Sequence, residues 1–102
     1  MINVIATIKT APGRRAAVLE AFAELLPAVH AEEGCIAYAP TIDVAADIDR
    51  LPPAEDDVIV MVEQWESLDH LKAHLAADHM NTFRGKVQDD IVSTTLRVTE
   101  PA

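Results

Sequence analysis

Val58-Ile59-Val60-Met61-Val62-Glu63-Gln64-Trp65-Glu66-Ser67-Leu68-Asp69-His70-Leu71-Lys72-Ala73-His74-Leu75-Ala76-Ala77-Asp78-His79-Met80 reads as a strand, a capped turn and a histidine-bearing helix. Residues 57–65 form the clearest strand. Val58, Val60, Val62 and Gln64 lie on one face, and Ile59, Met61, Glu63 and Trp65 on the other. Both faces are mostly apolar, so both need cover. Helices from one small chain cover only one face of an antiparallel sheet, which leaves the other for a second subunit. Ser67 has the hydroxyl of an N-cap. The helix it starts is expected to turn Leu68, Leu71 and Leu75 inward, with His74 beside them and His70 facing solvent. An apolar strand, the only tryptophan and three histidines thus meet at one junction, which is suited to holding a flat aromatic molecule and moving its protons.

Outward from this stretch, residues 2–9 alternate, with Ile2, Val4, Ala6 and Ile8 opposite Asn3, Ile5, Thr7 and Lys9. Period two predicts a strand, ended by Pro12-Gly13. Residues 14–32 carry Val18, Leu19, Phe22, Leu25, Leu26 and Val29 at helical spacing. Pro27 is expected to kink or break that helix, and Glu33-Gly34 to stop it. Residues 35–44 form a second extended segment, with Pro40 suggesting an edge or bend. Residues 45–56, rich in Asp, Glu and Pro, form a solvated loop. Asp78 or Asn81 starts a short helix carrying Phe83 and Val87, and residues 91–99 alternate again. Strand, helix, strand, strand, helix, strand is the split βαβ order of a ferredoxin-like α+β fold.

The 102 residues form a single domain, 1–102. Half are hydrophobic but only four are aromatic, so the core is aliphatic and modest, and self-association is a common remedy. A formal charge of −9 argues against nucleic acid and against anionic membranes. The lone Cys35 precludes an internal disulfide, fits a reducing compartment and reads as a small buried side chain. No signal peptide and no ~20-residue apolar span are expected, which points to the cytoplasm.

Glu33-Gly34-Cys35 with Tyr38-Ala39-Pro40, Glu63-Gln64-Trp65-Glu66-Ser67, His70-Leu71, Ala73-His74-Leu75 and His79-Met80 together resemble the antibiotic biosynthesis monooxygenase domain. Within that family the chain is most similar to bacterial quinol monooxygenases. The resemblance implies a homodimer of ferredoxin-like subunits sharing a barrel, with a pocket between sheet and helices. It also implies oxidation or oxygenation of quinols and related polycyclic phenols by O2 without flavin, metal or haem. The domain also serves haem-degrading proteins, which use an inward first-strand asparagine. Asn3 is the only asparagine on this first strand, whereas Ala6 stands where that pattern would place one.

A hydroquinone escapes the spin barrier to O2 once it loses a proton, because its anion readily gives up one electron. A dry pocket, a base and donors for the anion suffice, and no glycine-rich dinucleotide fingerprint signals a cofactor. His74 is the leading base, since imidazole titrates near neutrality. His79 shares the proton or binds the second quinol oxygen. Trp65 offers a stacking surface, and Tyr38, Met61 and Phe83 are wall residues. Glu63, if buried, needs a partner such as Arg84 or Arg97. His70-x3-His74-x4-His79 lacks the glutamate of zinc proteases and includes Lys72, so no metal is expected from that spacing. Other readings on the same dimer are a non-catalytic small-molecule binder and a haem-binding protein.

Overall fold

The computed structural model describes residues 1–102. Its elements are β1 (Ile2–Thr10), α1 (Arg15–His30), β2 (Cys35–Thr41), β3 (Val58–Trp65), α2 (Leu68–Ala76), α3 (Asp78–Val87) and β4 (Ile91–Thr99). The sheet order is β2-β3-β1-β4, with every neighbouring pair antiparallel. Each of the two helical crossovers therefore skips one strand, which makes this a ferredoxin-like α+β fold.

The alternation in β1 sets the two faces. Ile2, Val4, Ala6 and Ile8 are buried against the helices, while Ile5, Thr7 and Lys9 are exposed. Register carries the pattern into β3, where Val4 faces Glu63 and Ala6 faces Met61. Ile59, Met61, Glu63 and Trp65 accordingly lie on the helix side and are buried. α1 buries Val18, Ala21, Phe22, Leu25 and Val29, a stripe at helical spacing that forms one core with the sheet. Phe22 meets Phe83 of α3 with ring centroids 4.5 Å apart. No helix is long and apolar enough to cross a membrane.

Three local expectations change. Helix α1 does not end at Pro27 but runs on to His30. The carbonyl that Pro27 leaves without a donor belongs to Ala23, and both residues are exposed, so water can take the lost bond. Ser67 caps α2 as its sequence position predicts, its Oγ accepting the His70 backbone N–H at 3.2 Å. Of the three leucines in α2, however, only Leu71 is buried, and Leu68 and Leu75 are exposed. His70, expected to face solvent, is half-buried. Its Nδ1 lies 2.7 Å from Ser67 Oγ and its ring covers Gly34, where an added Cβ would sit 2.3 Å from the imidazole Cγ. Gly34 also has φ +81°, so the turn after α1 needs glycine for both conformation and close approach.

The chain breaks between α2 and α3 at Ala77, whose extended backbone (ψ 144°) turns the following helix in a new direction. On one unbroken helix, residues 74 and 79 would point about 140° apart. The break is what allows both side chains to reach a common point.

Candidate functional site

A cavity of about 410 Å³ lies between the helix side of the sheet and the α2–α3 pair. Ala6, Ile8, Phe22, Met61, Met80, Phe83, Val87 and Ile91 give it an apolar wall, and Tyr38, Glu63, His74, Arg84, Gln88 and Thr94 supply polar groups. Tyr38, Met61, Phe83 and His74, all singled out in the sequence, line this space. Trp65 and His79 do not.

His74 is 98% hidden from solvent, yet it is not inert packing. Its Nδ1 lies 2.7 Å from Glu32 Oε2, and the same oxygen lies 2.9 Å from His79 Nε2. A carboxylate only accepts, so His74 donates from Nδ1–H and His79 from Nε2–H. In the neutral imidazole that assignment leaves Nε2 of His74 as a free lone pair. This nitrogen has no protein partner, and no side-chain polar atom is both buried and unpartnered. The small exposure of His74 is therefore at Nε2, toward the cavity that the residue lines. Glu32, 42 residues away, is what orients the His74 ring and selects its Nδ1–H tautomer.

Trp65 is fully buried behind that imidazole. Its ring centroid is 4.6 Å from that of His74 at a tilt of 35°, and Tyr38 meets the His74 ring edge-on at 5.3 Å. Trp65 thus holds His74 in place instead of presenting a surface to a ligand. Its indole N–H donates to Glu63 Oε1 at 3.0 Å, so the partner of the buried Glu63 is Trp65 and neither Arg84 nor Arg97. Arg84 instead donates to Asn81 Oδ1 and to the Leu75 carbonyl, and from there contributes a cation to the cavity wall.

Burial raises the Tyr38 phenol, and the charges of Glu63 and Glu32 add to this, so Tyr38 remains a hydrogen-bond donor across the working pH range. The Cys35 thiol is also raised, by burial first and then by Glu32 and Glu63, and it stays a thiol near neutrality. Asn3 lies on the opposite side of the sheet, its Oδ1 accepting from Gln64 Nε2 at 3.3 Å, and Ala6 occupies the first-strand position in the cavity wall. No first-strand asparagine reaches the chamber. Of the groups that shape the site, Glu32 and the inward role of Arg84 were missed from the sequence. Glu32 gives no spacing signal, because its partners lie across the fold.

Comparison with known proteins is consistent with this geometry. Residues 1–86 match the family described as antibiotic biosynthesis monooxygenase. A protein of Escherichia coli K12 described as "Probable quinol monooxygenase YgiN" is 46% identical over 103 residues, covering 99% of this chain and 98% of that one. Among solved structures, PA3566 from Pseudomonas aeruginosa superposes with a TM-score of 0.81 at 23% identity, covering 99% of this chain and 93% of its own. Rv0793 from Mycobacterium tuberculosis gives 0.80 at 22%, covering 99% and 94%. At those identities the two structures show a shared fold.

The Glu63 carboxyl is held above its ordinary value of 4.5 chiefly by burial, with Glu32 adding to the shift and the Trp65 hydrogen bond and His74 opposing it. The folded chain therefore binds this proton more tightly than the unfolded chain, and the Glu63 contribution to stability is lost as pH rises from 4.5 through the folded value. Glu63→Gln keeps an oxygen for the indole N–H and carries no charge. Its stability relative to the wild type is expected to improve between about pH 5 and about pH 8, as read from urea unfolding at each pH. A stability difference that does not change with pH would show that burial does not disfavour the Glu63 carboxylate.

Proposed function

The chain belongs to the antibiotic biosynthesis monooxygenase family, and on that premise we propose that it oxidises or oxygenates quinols or related polycyclic phenols with O2, using no redox cofactor. The observation that carries this reading is His74, with Nδ1 tied to Glu32 and Nε2 open to an apolar chamber. The chamber, about 410 Å³, lies within the size range of small-molecule sites.

In this mechanism His74 Nε2 takes a phenolic proton. The imidazolium that forms is stabilised by Glu32, which already accepts its other N–H. The quinolate left behind is met by the Tyr38 hydroxyl and the positive charge of Arg84, both on the cavity wall. One electron then passes to O2, giving semiquinone and superoxide. If the two separate after a second electron and proton pass, the products are quinone and hydrogen peroxide. If they recombine, the ring hydroperoxide loses water and leaves a hydroxyquinone. Each route consumes one quinol and one O2.

A second copy of the chain completes the site in this reading. β4 is exposed on both faces over eight of its nine residues, with Val92 63%, Leu96 52% and Val98 43% exposed. Ile5 and Val62 are exposed on the open face of the sheet, and Ile36, Ile42 and Val44 follow at its β2 end. The cavity opens beside β4, where Ile91, Thr94 and Leu96 form part of its rim. So much aliphatic surface on one sheet is characteristic of a subunit interface. Light scattering at micromolar concentration is expected to give twice the chain mass. A monomer would remove the shared sheet from this reading.

The activity is tested with menadiol prepared anaerobically and opened to air. The protein is expected to accelerate oxygen uptake over buffer, and His74→Ala to slow the catalysed rate by about 10²–10⁴ while circular dichroism stays that of the wild type. Equal rates in the variant would remove His74 from the mechanism. Saturable binding of a naphthoquinone with no turnover would make the chamber a binding site alone.

A further inference from the structure

Glu32, His74 and His79 bring one carboxylate and two imidazoles together from three separate segments, with their donor atoms all within 4.8 Å of one another. We propose that this triplet is a binding site for a divalent transition metal ion of the zinc class, placed behind His74 and outside the cavity. Two imidazoles and a carboxylate suit zinc and its neighbours better than calcium or magnesium, which prefer oxygen alone.

The geometry needs the two gaps to Glu32 to open and the two imidazole nitrogens, which lie within 4.8 Å of each other, to draw together. Donors around a tetrahedral ion with bonds of about 2.0–2.1 Å lie about 3.3 Å apart. Here Glu32 Oε2 stands 2.7 Å from His74 Nδ1 and 2.9 Å from His79 Nε2, distances set by shared hydrogens. An ion replacing those hydrogens requires each gap to open by about half an ångström. The adjustment falls to Glu32, just beyond the end of α1, and to His79, in the first turn of α3 with 32% of its side chain exposed. The same exposure leaves a route for the ion and for a water in the fourth position. Two helix C-termini, those of α1 and α2, end beside the triplet and favour a cation, against the single N-terminus of α3. The histidine spacing alone did not reveal this site, because His70 is held over Gly34 and the third donor comes from residue 32.

Occupancy has a consequence for the chemistry proposed above, and it rests on that reading. A histidine bound to metal through Nδ1 carries its proton on Nε2. The cavity-facing nitrogen of His74 would then be a donor and could take no proton from a phenol. The ion would switch the base off.

Calorimetric titration of zinc chloride into untagged, chelator-stripped protein tests the site without any turnover. One ion per chain is expected, with Glu32→Gln and His79→Ala each weakening the affinity by roughly 100-fold or more, since even outer contacts to a metal site are worth 10–100-fold. Glu33→Gln, which removes an adjacent exposed carboxylate outside the triplet, should bind as the wild type does. If Glu32→Gln does not fold, His79→Ala, on the partly exposed start of α3, decides the matter. Absence of a single-site isotherm, or equal affinity in the wild type and His79→Ala, overturns the proposal. In the oxygen-uptake assay zinc should abolish the wild-type rate and a chelator should restore it, and a zinc-saturated enzyme at full rate would overturn the switch. Zinc binding by a protein that oxidises no quinol would keep the site and remove the quinol reading.

Discussion

One carboxylate oxygen, Glu32 Oε2, accepts from two imidazoles on two different helices. That constraint fixes which nitrogen of His74 is protonated, and with it what the cavity can do. Hydrogen bonds to a charged group contribute about 1.5–3 kcal/mol each, more than the neutral bonds elsewhere in the fold. They also join the end of α1 to the α2–α3 junction, so the three helices are held in register by the group that orients His74. Without Glu32 the imidazole could present either nitrogen to the chamber.

Around this point the packing is arranged so that the imidazole cannot turn. Trp65 lies against one side of the His74 ring and Tyr38 meets it edge-on. The indole is in turn pinned through its N–H to Glu63, which hangs from the same strand two residues earlier. The chain thus uses its only tryptophan as a support for the buried His74 imidazole. Burial costs Glu63 some of its acidity, and that carboxyl sits in the cavity wall as well. Structural support and site chemistry are shared among the same few side chains, so a change at Trp65 reaches the chamber through His74, and one at Glu63 reaches it directly as well.

Much of the fold was legible because its signals are local. Period-two alternation in residues 2–9 specifies a strand and its buried face, the doubly apolar run 57–65 specifies a strand without choosing between its faces, and Ser67 and Gly34 mark helix ends through caps and turn geometry. Tyr38, Met61 and Phe83, expected as walls of an aromatic site, line the cavity. What escaped depends on contacts between distant residues. Glu32 is an ordinary acidic residue after a helix until His74 and His79 arrive from the other crossover. Leu68 and Leu75 fit an apolar stripe by spacing, but of the three leucines α2 buries only Leu71 because the cavity and solvent lie on either side of it. His79 joins His74 only because the backbone at Ala77 departs from helix; Asp78 signals that a new helix starts there, but not the direction it takes.

The central claim is a single protonation pattern: a proton on His74 Nδ1, held by Glu32, and a lone pair on Nε2. Nitrogen-15 correlation spectroscopy of the histidine rings in uniformly labelled, metal-free protein just above neutral pH reads that pattern directly. One ring, assigned to His74 by its absence in His74→Ala, is expected to show a protonated Nδ1 and an unprotonated Nε2. A His74 ring with its proton on Nε2, or with the averaged shifts of a free imidazole, would contradict the account.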